Sequence, residues 1–313
     1  MRLGVKTDSL AGLALDEALD VAARLGLECV ELATGGWSPT LHVDLERLLE
    51  SEYARRGLLA RVYDRGLEIS ALTCSGNQLD PVTGPALDAA VRGTIALAPL
   101  LDVDRVILMS GCPGGPGDRH ANWITVGWPP EAAAVLRWQW DEVVIPYWRG
   151  LVAHAERHGV ARLCVEMCAQ QVVYNVPTLH RLRDAAGPVV GANYDPSHLM
   201  WMGADPLVAI EALGDTVYHA HVKDLRLEPA VALTTRLETR PEAEAERRAW
   251  NYVTPGHGNG EDFWRSFCSS LLAAGYDDVL SIEQKDPAVD PVAAVTEVAD
   301  MLRRLAPTVR ALG

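Results

Sequence analysis

The chain has 313 residues, 49% of them hydrophobic, and a formal net charge of −14. Such an apolar content supports a large core and excludes disorder and small stapled scaffolds. The acidic balance, with no basic run, argues against nucleic acid, whose phosphates need Lys and Arg. Length alone would allow two domains, but closed α/β barrels of this size form one unit, and a single domain over residues 1–313 is expected. The six cysteines are scattered without a C-x-x-C pair, and MRLGVKTDSL lacks the basic-then-apolar run of a signal peptide. No apolar stretch approaches the roughly 20 residues of a membrane helix. A cytoplasmic protein with buried, reduced cysteines and no membrane partner is expected.

Short apolar, β-branched runs alternate with amphipathic segments from end to end. The predicted strands are Leu3–Lys6, Cys29–Ala33, Glu68–Thr73, Arg105–Ser110, Arg162–Met167, Val189–Tyr194, Val217–Val222 and Val279–Glu283. Helical segments separate them, including Leu15–Leu25, Leu45–Arg65, Glu131–His158, Val176–Ala186 and Glu261–Ala274, and a last helix spans Val292–Leu305. Near-continuous apolar strands, each followed by a helix, point to a parallel sheet and to a (β/α)8 TIM barrel. An open doubly wound sheet is the rival, but no glycine fingerprint follows the first strand. Gly26, Gly66, Gly159 and Gly275 stand where helices end before strands begin. Two connections are long: SGCPGGPGDRHANWITVGWPP after strand 4, and Leu225–Val253 after strand 7. Both leave the carboxyl face, where barrels build their sites. The RLETRPEAEAERR stretch in the second reads as a solvated helical excursion.

Four strand ends carry metal-ligating side chains: Glu166 in CVEMC, Asp195 in ANYDPSH, His221 in HAHVKD and Glu283 in LSIEQKD. They end the fifth to eighth strands, which are neighbours in a barrel. Three carboxylates and one imidazole suit Mn²⁺, Mg²⁺, Co²⁺ or Zn²⁺, and without a cation the carboxylates would repel one another. Strand alternation puts His219 and Lys223 on the face of His221, Cys164 and Cys168 with Glu166, and Ser281 and Lys285 with Glu283. The cysteines are expected to be packed thiols, and His219 core rather than a fifth ligand. His198, in DPSH, is a candidate substrate contact. His257, in PGHGNGEDFW, lies in a glycine turn whose amides could meet an anion or hydroxyl, unless Asp262 merely caps the next helix. Trp37, Trp123 and Trp128 fall in rim loops, where a ring can stack on a sugar. Trp138 and Trp140 read as helix packing, and Trp201 fits either role.

This motif set resembles the xylose-isomerase-like TIM-barrel superfamily of sugar phosphate isomerases and epimerases, whose distant members include AP endonucleases. The resemblance spans essentially the whole chain and rests on VEM at Glu166, DPSHL at Asp195 and His198, HVKD at His221 and IE at Glu283. It implies one divalent ion, manganese ahead of magnesium, cobalt or zinc, held by Glu166, Asp195, His221 and Glu283. It also implies Glu166 and Glu283 as proton carriers, with His198 touching substrate. The chain departs from similar relatives at Cys168 and Gln284, where they often carry histidine. The implied enzyme is a metal-dependent isomerase or epimerase of a small carbohydrate, abstracting a proton alpha to a carbonyl. The alternative is a lyase or dehydratase on a keto-inositol or 3-keto-glycoside. Homo-oligomers or a small partner subunit stay open. No Gly-rich phosphate loop or clustered arginine pocket stands out, which favours a non-phosphorylated substrate. Lys6, Lys223 and Lys285 are the only lysines, and all three fall at carboxyl ends of strands 1, 7 and 8. They are therefore expected around the substrate, with Lys6, Lys223, His198, His257 and Trp123 as its contacts.

Overall fold

A computed structural model describes residues 1–38 and 42–310. The eight predicted strands all form: β1 (Arg2–Lys6), β2 (Cys29–Gly36), β3 (Glu68–Ser75), β4 (Arg105–Leu108), β5 (Arg162–Glu166), β6 (Val190–Tyr194), β7 (Val217–Val222) and, after a hairpin, β10 (Val279–Ile282). They close into a barrel in the order β1, β10, β7, β6, β5, β4, β3, β2. The pairs described in register, such as β1 with β10 and β4 with β5, are parallel. Such strands are covered on both faces, which is why β4 (RVIL) is buried along its whole length. Gly26, Gly66, Gly159 and Gly275 take φ between +63° and +89°, the left-handed turn that closes each helix before the next strand.

By packing, the chain divides into two compact units. One comprises Met1–Val30, Arg65–Glu68 and Tyr194–Gly313; the other comprises Glu31–Asp64 and Ile69–Asn193. In the first, β1, β10 and β7 are consecutive. The registers Val5↔Ile282 and Ile282↔Val222 bring Lys6, Glu283 and Lys223, each the residue after a paired one, to one level. Glu283 N–H extends that ladder by donating to the Val222 carbonyl (3.1 Å).

The second unit holds the long connection after β4. The predicted helix Glu131–His158 is α-helical at Pro130–Trp138 and Ile145–His158, with a π-turn at Gln139–Val144 between. Buried Gln139 donates from Nε2 to the carbonyls of Pro113 (2.9 Å) and Asn122 (2.8 Å), tying the connection to the helix. Leu45–Arg65 likewise divides at Ser51, whose hydroxyl accepts from Ala54 N–H and starts a new helix.

In the excursion after β7, the stretch expected to be helical is so only at Glu242–Arg247, as 3-10 helix, and strands flank it. The excursion is an antiparallel pair, β8 (Asp224–Leu227) with β9 (Trp250–Val253), joined by a connection whose helical pieces are Pro229–Ala232 and a 3-10 stretch at Glu242–Arg247. Glu238, whose side chain is 2% exposed, overrides the helical propensity of its neighbours. Its carboxylate accepts from the backbone N–H of Thr239 (2.9 Å), Arg240 (2.8 Å) and Ala249 (2.7 Å), groups a helix would have used. No helix among the described residues is long and apolar enough to cross a membrane.

Candidate metal centre

In the first unit the strand ends gather Asp195, His221 and Glu283, whose ligand atoms lie within 4.8 Å of one another. All three are at most 3% exposed. Asp195 divides its two oxygens. Oδ1 accepts from Ser197 N–H (2.8 Å) and Ser197 Oγ (2.7 Å), starting the helix Pro196–Met202, while buried Oδ2 accepts no hydrogen bond. Helix cap and ligand are thus not rival readings of this residue, because each takes one oxygen.

Glu283 is built the same way. Oε1 accepts from Lys6 Nζ (3.2 Å), with Lys223 Nζ and Lys285 Nζ 3.7 and 3.8 Å away. Oε2 lies 2.9 Å from His221 Nδ1 without hydrogen-bond geometry and is buried without a donor. Burial alone would push the Glu283 carboxyl up, but Lys223, Lys6 and His221 outweigh it and hold the group well below the ordinary carboxylate range. Buried carboxylates, each with one oxygen outside any hydrogen bond among the described residues, beside an imidazole fit a hard or borderline divalent cation.

The three lysines meet here as their strand positions predict. Lys6 and Lys223 are 5% exposed, and Lys223 Nζ also lies 3.2 Å from Asp195 Oδ2. Asp8 is the member that the sequence did not reveal. Buried just past β1, it sits 3.6 Å from Lys6 Nζ and 3.7 Å from Lys285 Nζ. Three ammonium groups therefore face Asp8, Asp195 and Glu283.

His198 is buried within the same unit. Its Nε2 lies 3.3 Å from Asp195 Oδ2 and 3.4 Å from Lys223 Nζ, and Nδ1 is 3.3 Å from the Tyr252 hydroxyl. Tyr252, on β9, also offers its ring to Lys223 Nζ at 4.7 Å. Sequence reading missed it because it comes from the excursion. Trp201 stacks on Trp250 at 5.2 Å, so it is packing rather than rim.

His257 is not brought to this cluster. Its Nε2 pairs with Glu297 at 2.7 Å, half-exposed. The amides of its turn are already occupied: Asp224 Oδ2 accepts from the N–H groups of Gly256 (2.9 Å), Gly258 (3.1 Å) and Asn259 (2.9 Å). The anion expected at this turn is thus the chain's own carboxylate. Nor does Asp262 cap the following helix; Gly260 stands at the cap, and exposed Asp262 pairs with Arg265.

In the second unit Glu166 ends β5, 2% exposed, and accepts from Asn193 Nδ2 at 3.0 Å. Cys168 Sγ packs 3.3 Å from Met109 Sδ, and burial pushes the Cys164 thiol up to about 12, so both are packed thiols as expected. Trp123 packs edge-to-face on Tyr174 at 5.5 Å, whereas Trp37 and Trp128 are exposed. Gln284, one of the two positions where the sequence departs from the family it resembles, is held by the adjoining loop and by Ser9. Its Oε1 accepts from Asp286 N–H (2.9 Å) and its N–H donates to Ser9 Oγ (3.0 Å).

The xylose isomerase-like TIM barrel family model matches residues 19–305. The chain belongs to that family. It is 43% identical over 309 residues to the uncharacterized protein YfiH of Bacillus subtilis, covering 97% of this chain and 99% of that one. Among solved structures it is similar in fold to L-ribulose 3-epimerase (TM-score 0.65, 17% identity, 99% and 96% of the two chains). It is also similar to a xylose isomerase-like TIM barrel protein from Mycobacterium smegmatis in complex with magnesium (TM-score 0.66, 15% identity, 98% and 97%). Members of the family are mostly enzymes acting on small carbohydrates.

Proposed function

We propose that the protein is a divalent-metal-dependent isomerase or epimerase of a small carbohydrate, with one ion held by Glu166, Asp195, His221 and Glu283. The observation that carries this reading is the pair of buried oxygens, Asp195 Oδ2 and Glu283 Oε2, that accept no hydrogen bond beside His221. Glu166 is the fourth ligand in this reading because it ends β5, next in the barrel order to the strand that delivers Asp195. The magnesium complex of the Mycobacterium smegmatis protein and the epimerase activity named for its fold neighbour support the same assignment. Residues 1–313 would then act as one barrel domain.

A bound divalent ion would supply polarisation of a substrate carbonyl and its adjacent hydroxyl. The protein supplies the rest. Glu283 stays ionised through Lys6 and Lys223, so it can take a proton alpha to the carbonyl. The same ammonium groups face the negative charge that develops on the enediolate. Glu166 returns a proton, to the opposite face in an epimerase or to the adjacent carbon in an isomerase. His198, held between Lys223 and Tyr252, positions a substrate hydroxyl.

Deuterium incorporation in D₂O across ketoses, inososes and 3-keto-glycosides tests the reading, because it reports alpha-proton loss whatever the final product. Exchange into at least one class, with about one equivalent of divalent metal in protein purified without chelator, is expected. Elimination instead of exchange would move the assignment to a lyase on the same residues. No exchange with any class in metal-loaded protein would overturn it.

A further inference from the structure

Beyond Tyr252 and Lys285, the same unit contains a cavity of about 130 Å³ that the proposed chemistry does not use. Arg226, Arg248, Asn251, Tyr252 and Lys285 line it. Arg248 is the informative residue. It is 7% exposed and forms no ion pair among the described residues. Its Nε donates to the Trp250 carbonyl (3.2 Å) and its Nη1 to the Arg240 carbonyl, and the guanidinium lies 5.0 Å from the Trp250 ring centre, leaving Nη2 without an acceptor among the described residues. A buried cation with no carboxylate partner is costly, and buried arginines are ordinarily paired. Asp286, an acid of the same lining, makes no ion pair with it among the described residues. Asp286 spends its oxygens on Thr254 N–H (3.0 Å), Thr254 Oγ1 (3.3 Å) and Ala288 N–H (2.9 Å). Glu242, the other acid of the lining, is exposed.

The cavity shares two walls with the candidate centre. Lys285 Nζ lies 3.8 Å from Glu283 Oε1, and the Tyr252 hydroxyl lies 3.3 Å from His198 Nδ1. One molecule can therefore place its reacting carbon at Glu283 and a substituent in the cavity. The space suits a small group rather than a second sugar ring, since cavities of about 150 Å³ hold a benzene-sized guest.

We infer that this cavity is a subsite for an anionic oxygen group, carboxylate or phosphate, carried by the substrate. The inference rests on the proposed function for the reacting end only. It bears on the expectation of a non-phosphorylated substrate, because the sequence shows no clustered cations: Arg248, Lys285 and Arg226, the last also paired with Glu228, are far apart in sequence, and only the β8–β9 hairpin and the loop after β10 place them around one space.

The experiment is calorimetric titration of the intact protein with inorganic phosphate and, separately, with malonate. Saturable binding of at least one is expected, the tighter anion identifying the substituent as phosphate or carboxylate. Arg248→Met and Lys285→Gln should each weaken it by about tenfold or more, the worth of a charge-assisted hydrogen bond. Ala245→Trp, which fills the cavity from an exposed wall and keeps every cation, should abolish it. If Arg248→Met fails to fold, Lys285→Gln and Ala245→Trp carry the test. Absence of saturable binding by both anions, or binding unaltered in Ala245→Trp, overturns the subsite. These titrations read binding without turnover, so failed deuterium exchange with intact anion binding would remove the proposed reaction and leave the subsite.

Discussion

The ends of β1, β7 and β10 and the excursion that follows β7 lie in one unit, yet they are built on opposite principles. At the strand ends, ladder pairing fixes the backbone, and a charged side chain emerges where each strand stops: Lys6 as the last residue of β1, Lys223 and Glu283 one residue past β7 and β10. In the excursion, side chains fix the backbone. Glu238 gathers three amides across Thr239–Ala249, and Asp224 gathers three more across Gly256–Asn259. The first arrangement leaves Asp195 Oδ2 and Glu283 Oε2 beside cationic and imidazole groups without a hydrogen bond among the described residues, whereas in the second both oxygens of Glu238 and of Asp224 accept. Spare acceptor capacity marks the candidate site, and satisfied capacity marks the scaffold that walls it.

The strongest challenge to that contrast is removal of one spare oxygen. Glu283→Gln keeps the shape, and the protein should keep its circular dichroism spectrum. It should lose deuterium exchange by about 10²- to 10⁴-fold, the usual worth of a positioned acid-base group. Retention of full exchange would show that Glu283 holds structure rather than moves protons.

Removing a satisfied carboxylate should do the reverse. Asp224→Ala strands the N–H groups of Gly256, Gly258 and Asn259, together with Leu225 N–H, which donates to Oδ1 at 2.7 Å. A loss of about 2–4 kcal/mol in urea unfolding is expected from several orphaned donors. Asp224→Asn, which keeps an acceptor, should cost less. Equal losses for the two would place the effect in packing rather than in hydrogen bonding.

Gly258→Ala probes the same turn through shape. A methyl group there would lie 2.3 Å from the Leu225 carbonyl oxygen, so the hairpin or the turn must shift. A cost of about 1–3 kcal/mol is expected, as for overpacking elsewhere, read as a lower unfolding midpoint. An unchanged midpoint would mean that β8 and the turn move apart freely.

The contrast also explains what could be read from sequence. A parallel strand buried on both faces is an apolar run ending in a polar residue, so all eight strands and Glu166, Asp195, His221 and Glu283 stood out. Lysine scarcity then singled out Lys6, Lys223 and Lys285, and they meet around Glu283. Asp8 was hidden because it follows β1 in a 3-10 turn with no strand periodicity to mark it. Tyr252 and Arg248 were hidden by the hairpin. DLRL and WNYV are four residues each, too short for a period, and their pairing spans the whole excursion. The Glu- and Arg-rich middle has helical propensity, but Glu238 supplies a local alternative for the backbone. That the amides of the His257 turn are occupied could not be read from sequence, because their partner, Asp224, lies on another element.

The smallest effect expected is an acid one, confined to the excursion. Burial alone would raise the Glu238 carboxyl, but the N–H groups of Arg240, Ala249 and Thr239, aided by the Arg240 guanidinium, hold it at about 2 against an ordinary 4.5. A depressed carboxyl stabilises the fold above its unfolded value and ceases to do so as pH falls through its folded value. Amide protection at Thr239, Arg240 and Ala249 should thus be constant above pH 4.5 and decline from there toward 2, while strand amides such as Val106 and Ile107 on β4 hold longer. In Glu238→Gln the side chain keeps one acceptor but no charge, so protection at the three amides should be lower at neutral pH and lack the acid step. If wild type and Glu238→Gln lost protection together across that range, the step would belong to another carboxylate. The excursion would then be held by the hairpin ladder, as the strand ends are, and the distinction between ladder-built site and side-chain-built wall would fall.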